Sequence, residues 1–457
     1  MRDLLFGLNP WWRTATVDSA PDAERTELAA IVEELDNLRR ATIITGPRRT
    51  GKSTLLMQTI RQLIAQGVAA GRICFLDCAE PGLQGITLSA IWNEYFSEIL
   101  SEPLAGLTST VYIVIDEIHF SPDWQLYIKS VIDKRLKVKF LISGSSATAL
   151  FNNAKDSLMG RTHTVKILPL TFRQFLRFKN HLNTGEKIPL LDLPEPPELA
   201  DFASIKQLCA EFDVRYYSPY ALTLFSEYLA AGGYPEYFLS KNMIVWQKYL
   251  TEDIIDYGLY RDIVAFYKVR QPDLLKKIMF YVAANQGAAL PVATLAMELS
   301  ADRSTVNEYL EYLQDAAMLT VVSNYSANIG KTLRKNKKYY VSDCGIRNAL
   351  LKRRDFGPAE EGHLAETAAL SALRKTADID FGAINYYREN SREIDFIVDT
   401  NNAIIPVEVK YRNSIAASDI KTLVDFVTQR NLPAGIVLTK TKLQISEKIA
   451  FVPVWLV

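Results

Sequence analysis

Apolar positions change their rhythm several times along the chain. The opening stretch, MRDLLFGLNPWWR, reads as an extended segment around Pro10 and two tryptophans, and residues 24–38 then place apolar side chains at helical spacing. From Ala41 the rhythm shifts to short β-branched runs, ATIIT, ICFLD, VYIVID, VKFLIS and TVKIL, separated by stretches of helical period. A run that is apolar at nearly every position suits a strand buried on both faces, as in a parallel sheet covered by helices on both sides. The alternation predicts a doubly wound α/β domain over residues 41–178.

Beyond it the chain turns proline-rich and loop-like over residues 179–198, then helical over 202–267, with breaks at Gly232, Gly233 and Pro235. From Leu274 to Leu351 the pattern predicts a helix, a second, and a third over 304–318, followed by LTVVSNY and KKYYVSD as a hairpin. That is the order of a winged helix. An amphipathic helix over 362–375 and the strands NYYRE, EIDFIVD, IIPVEVKY and AGIVLTK predict a further α/β domain. The expected division is an N-terminal extension (1–40), the doubly wound core (41–178), a linker and helical lid (179–268), a winged helix (269–355) and a C-terminal domain (356–457).

A chain of 457 residues exceeds one ordinary core, in keeping with several domains. Lys plus Arg and Asp plus Glu each number 52, so no overall field draws the molecule to nucleic acid, and any such contact needs a local patch. No apolar run reaches the about 18 residues of a membrane span. The apolar stretch at the start is too short for a secretory signal. Its four cysteines, Cys74, Cys78, Cys209 and Cys344, are scattered without a CxxC pair. Reduced thiols in a cytoplasmic protein are the expectation.

GPRRTGKST, residues 46–54, matches the phosphate-loop pattern GxxxxGK[ST], between a predicted strand and a predicted helix. Gly46 and Gly51 let backbone N–H groups turn toward phosphates, and the helix N-terminus adds its dipole. Lys52 reaches the β- and γ-phosphates, and Ser53 offers a hydroxyl to Mg²⁺. Pro47, Arg48, Arg49, Thr50 and Thr54 complete the ATP-binding stretch. VYIVID then ends in Asp116 and Glu117, at the strand end where ligands of open α/β sheets bind. Asp116 is expected to hold Mg²⁺ through water and Glu117 to polarise the attacking water. Ser143, with Ser145 as the alternative, is expected to touch the γ-phosphate or that water. His119 reads equally as a γ-phosphate sensor or a packing residue. Arg161 is either an arginine finger, in cis or in trans, or an ordinary surface arginine.

Together GPRRTGKST, VYIVIDEIH, LISGSS, GRTHTVKILPLTFRQFL, AAGGYPEYFL, YRDI and KKYYVSDCGIRNALL resemble a large prokaryotic family of AAA-type ATPases with a winged helix and a C-terminal domain of unknown function. The resemblance runs over nearly the whole chain. It implies a P-loop core of the additional-strand type with five parallel strands, and no defined cellular role.

Near the C-terminus, IDF (394–396) and VEVK (407–410) resemble the PD-(D/E)XK nuclease pattern, of restriction-endonuclease-like fold, with Ile394 where proline often stands. In a strand Glu408 and Lys410 share one face, and Asp395 on the preceding strand can meet Glu408 across the sheet to hold Mg²⁺. Lys410 would position water or stabilise charge on a phosphate. The nuclease pattern implies a further ligand or water-orienting group in Glu366, on the helix before the sheet. A cross-strand ion pair on a solvated face is the plainer alternative. In the predicted wing, Lys331, Arg334, Lys335, Lys337 and Lys338 suggest phosphate contact, whereas Glu308, Glu311 and Asp315 on the predicted recognition helix oppose DNA binding.

These residues predict an ATPase whose nucleotide cycle controls a nuclease-like C-terminal domain acting on nucleic acid. An ATP-dependent switch that binds DNA or protein through non-catalytic C-terminal modules is the alternative. A chaperone-type ATPase, hexameric with Arg161 acting in trans, is a third. No membrane partner is expected, and a homo-oligomer is left open.

Overall fold

A computed structural model of the chain describes all residues except 19, 38, 123, 145–157, 183–192, 194–195, 241, 327–334, 380–381 and 401–402. It divides into two compact units, Met1–Leu168 and Pro169–Val457. Ser145, Lys331 and Arg334, and much of the 179–198 stretch, lie outside the described residues.

In the first unit the five apolar runs become β1 (Ala41–Thr45), β2 (Ile73–Asp77), β3 (Val111–Asp116), β4 (Val138–Ser143) and β5 (Thr162–Lys166). They pair in parallel in the order β2-β3-β4-β1-β5. Side chains alternate across the sheet. Ile43, Ile113 and Ile115 pack on one face with Trp92 and Trp124. Ile44 and Val114 pack on the other with Leu55, Leu56 and Ile60 of the helix Lys52–Ala65. Covering both faces is why β1 to β4 are mostly apolar, whereas the edge strand β5 starts two residues before the predicted TVKIL run and is half-buried to exposed.

The N-terminal segment departs from the extended expectation: it forms helices at Arg2–Leu8 and Trp11–Thr14 before the helix Glu27–Asn37. The reason lies at the sheet edge. Asn9 donates Nδ2 to Phe75 O (3.0 Å) and accepts from Phe75 N (2.6 Å), and the indoles of Trp11 and Trp12 both donate to Ile73 O. These side chains satisfy the free backbone of edge strand β2, which would otherwise be an open template for pairing.

The second unit begins with the helices Phe172–Leu182, Phe202–Glu211 and Val214–Ala231. A helix, a two-residue strand, two more helices and a hairpin follow: Pro272–Ala284, β6 (Ala289–Leu290), Val292–Glu298, Arg303–Asp315, β7 (Leu319–Asn324) and β8 (Lys337–Val341). The helix Pro358–Ile379 leads to β9 (Ala383–Glu389), β10 (Arg392–Asp399), β11 (Ile404–Lys410), β12 (Gly435–Thr439), β13 (Gln444–Ser446) and β14 (Ile449–Pro453).

Strand β7 pairs in parallel with β9, so the hairpin and the C-terminal strands form one nine-stranded sheet, β13-β14-β12-β11-β10-β9-β7-β8-β6. Two of the motifs behind the family resemblance interlock in this unit. Asp343 accepts from Gly233 N (2.7 Å) and Ile346 N (3.1 Å), and Asn348 donates to Leu229 O and Ala230 O. A Cβ on Gly345 would stand 2.2 Å from Ala231 O, so this approach requires glycine.

Candidate functional site

The parallel register brings the ends of β1, β3 and β4 together. The loop 46–51 leaves β1, and Gly51, in a left-handed conformation, caps the helix Lys52–Ala65. At Gly46 (φ 148°) a Cβ would stand 2.0 Å from Ile167 O, which explains the first glycine of the loop. Thr50 is buried and bonds its hydroxyl back to Pro47 O at 2.9 Å. Lys52, also buried, donates to Gly46 O and Pro47 O at 2.9 Å each, lying across the loop. Ser53 is exposed at the helix start, Thr54 and Arg48 are half-buried, and Arg49 is exposed with φ 63°. Backbone N–H groups at a helix N-terminus with a lysine folded over them are suited to a polyphosphate.

Facing the loop, Asp116 is buried at the tip of β3, and its Oδ1 accepts from Glu117 N (3.1 Å) and from the Ser143 hydroxyl at the tip of β4. Glu117 N also approaches Ser143 Oγ (3.3 Å). Both contacts to Asp116 fall on Oδ1, which orients the carboxylate and leaves Oδ2 clear of them. Glu117 takes the left-handed backbone (φ 47°), and its Oε2 lies 3.2 Å from His119 Nδ1. His119 therefore bears on the catalytic candidate itself.

Asp77 escaped the sequence reading. It ends β2 in register with Asp116, and burial, followed by the charges of Asp116 and Glu80, raises its pKa. The shared pattern of ICFLD and VYIVID, an apolar strand ending in Asp, was the signal. Arg25, buried with its guanidinium on Thr50 O, stands beside the loop without any local sequence pattern to mark it.

Arg161 is placed elsewhere. It precedes β5, whose first residue pairs with Ala41, the first of β1, whereas the phosphate loop leaves the opposite end of β1. Its guanidinium is bidentate to Asp133 (2.6 and 3.2 Å). An arginine finger in cis is therefore not formed.

Residues 38–176 match a family model described as an AAA domain. That region is a P-loop domain of the AAA type. Residues 222–356 and 361–457 match two domains of unknown function, DUF8612 and DUF4143. The chain is 26% identical over 378 residues to an uncharacterised protein of Haemophilus influenzae, covering 81% of this chain and 82% of the relative. It is 25% identical to an uncharacterised protein of Methanocaldococcus jannaschii, covering 79% and 72%. Among solved structures it is similar to the Walker-type ATPase PABY2304 of Pyrococcus abyssi, at 16% identity and TM-score 0.39, over 73% of this chain and 99% of that one. The AMPPCP-bound DnaA of Aquifex aeolicus matches at 16% identity and TM-score 0.28, over 67% and 92%.

The C-terminal constellation also assembles. Phe396 pairs with Val407, which sets Asp395 opposite Glu408, and the β9–β10 register shifts between Ile394 and Ile397, around Asp395. Such bulges re-aim side chains. Glu408 Oε2 accepts from Asp395 N (3.4 Å), and Asp395 Oδ2 from Val409 N (2.9 Å). Glu366 accepts from the Tyr340 hydroxyl (2.6 Å). Burial, then the charge of Asp395, pushes the pKa of both Glu366 and Glu408 upward.

Two lysines fill the cluster. Lys410 bonds Glu408, and Lys338, only 1% exposed, lies 2.6 Å from Glu393 and 3.9 Å from Asp395. Burial alone would lower the Lys338 pKa, but Glu366, Asp395 and Glu393 more than reverse that. The expected wing residue thus turns inward, because β8 lies in the same sheet as the carboxylate-bearing strands. Among the described residues no group of three or more His, Cys, Asp or Glu is placed to hold a metal ion. Each of these carboxylates is engaged by a lysine, a hydroxyl or a backbone N–H. Among the described residues no helix is long and apolar enough to cross a membrane.

Proposed function

We propose that this chain is an ATP-hydrolysing switch. The carrying observation is that Asp116, Glu117 and Ser143 join at the carboxyl ends of β3 and β4, on the same edge of the parallel sheet from which the phosphate loop leading to Lys52 leaves β1. Lys52, released from its loop carbonyls, pairs with the β- and γ-phosphates. Ser53 and Asp116 are the residues that would hold Mg²⁺, whose charge would neutralise the phosphate oxygens. Glu117 accepts a proton from, or orients, the attacking water, and Ser143 keeps the Asp116 carboxylate in place. The second unit is the output, with residues 269–355 as a winged helix and residues 356–457 as a nuclease-like but non-catalytic module. The burial of Lys338 among the carboxylates favours this over the nuclease. DNA or protein as partner, and Arg161 acting in trans in an oligomer, are further parts of the proposal.

The two outputs separate in one assay. Wild type and Lys410→Ala are incubated with single-stranded, duplex and branched DNA, with Mg²⁺ or Mn²⁺, with and without ATP. The switch predicts no cutting by either protein. Cleavage by wild type that disappears in Lys410→Ala would establish the nuclease.

A further inference from the structure

Residues 20–25 are laced to the helix that follows the phosphate loop. Gln58, 1% exposed, donates Nε2 to Pro21 O and Ala23 O, 2.9 Å each. One turn further on, Arg61 donates Nη1 to Ala20 O (3.1 Å) and Asp22 Oδ1 (3.0 Å), and Nη2 to Glu24 Oε1 (2.9 Å). This lacing delivers Arg25 to the foot of the helix. Its Nη2 donates to Thr50 O at 2.6 Å, and its Nε lies 3.8 Å from the position a Cβ on Gly51 would take. Thr50 and Gly51 immediately precede Lys52.

Arg25 is 5% exposed, and its Nη1 is buried without an acceptor among the described residues. Burial lowers its pKa to about 10, with Glu27 opposing the shift. A guanidinium this deep, given one neutral carbonyl, is under-compensated: a buried charge is costly unless paired and fully hydrogen-bonded. What lies on the other side of Thr50 and Gly51 is the cradle for polyphosphate. In a poorly screened interior a cation close behind that cradle interacts strongly with phosphate charge.

We propose that Arg25 is a positioning residue of the nucleotide site. It fixes the phosphate loop through the Thr50 carbonyl, and its buried charge is balanced by the polyphosphate of a bound nucleoside triphosphate. The N-terminal strap is then part of the nucleotide site. This rests on residues 46–54 being that site.

The test uses full-length wild type, Arg25→Met and Arg25→Lys, each titrated with a fluorescent ATP analogue (mant-ATP) and Mg²⁺. The unfolding midpoint of each is measured with and without ATP. Arg25→Met should unfold close to the wild-type temperature without nucleotide, because an apolar side chain of similar length replaces an under-compensated charge. It should bind the analogue at least about tenfold more weakly and lose most of the ATP-induced rise in midpoint. Arg25→Lys, which keeps the charge without the fork, should fall between. A purely structural arginine predicts the reverse, a lower midpoint without nucleotide and unchanged affinity in the folded protein, and that overturns the proposal. Should Arg25→Met fail to fold, a folded Arg25→Lys that binds like wild type overturns it equally. Wild type that does not bind the analogue overturns the nucleotide site itself, a separate outcome.

Discussion

Asp343 is a buried carboxylate, where burial raises its pKa to about 6 although backbone N–H groups of Gly233, Ile346 and Gly345 favour its charged form. Because the folded pKa lies above the unfolded value of 3.8, its contribution is fully present below pH 3.8 and is lost as pH rises through about 6. Asp343→Asn does not titrate. The midpoint of wild type relative to Asp343→Asn should therefore fall between pH 4 and pH 7, by on the order of 1–3 kcal/mol in stability. Thermal unfolding at several pH values checks the sign. As candidates, Lys52, Ser53, Asp116 and Glu117 are legible in the sequence because each sits at a strand end or loop position whose local pattern announces it. Arg25 is not, because its proposed role depends on the hydrogen bonds of Gln58 and Arg61, made across the fold. Lys338 was misplaced for a similar reason: a lysine in a basic run looks solvated until its strand is paired.

At the scale of elements, the apolar runs of the first unit were readable because a strand buried on both faces has few alternatives. The N-terminal helices were not, since Pro10 and the tryptophans look extended until Asn9, Trp11 and Trp12 are seen completing the edge of β2. In the second unit, hairpin and sheet were legible separately, but their union was not. The parallel pairing of Ser323 with Asn385 and Asn324 with Tyr386 joins segments far apart in sequence, which no local periodicity encodes. That union places β8 beside the carboxylates and makes Lys338 their counter-charge. Lys338→Met should therefore destabilise the second unit by about 3 kcal/mol or more, as breaking one side of a buried ion pair does. Lys335→Met, on an exposed residue of the same hairpin, should change little. Differential scanning calorimetry of both variants separates the two cases.

For the whole molecule, the first unit carries a phosphate loop and the Asp116–Glu117 pair proposed to serve the attacking water, and the second carries a sheet whose acidic cluster holds two buried or half-buried lysines. The account therefore assigns chemistry to the ATP site and an output by binding to the rest. In the proposed mechanism Glu117 separates binding from turnover: its carboxylate serves the attacking water, while Lys52 holds the phosphates. The most direct measurement is Mg²⁺-dependent phosphate release from ATP by wild type, Lys52→Ala and Glu117→Gln, with ATP affinity measured alongside. The account predicts turnover by wild type and loss of both binding and turnover in Lys52→Ala. Glu117→Gln should bind at near wild-type affinity with turnover lowered by about 10²-fold or more. Undiminished turnover in Lys52→Ala or in Glu117→Gln would contradict it.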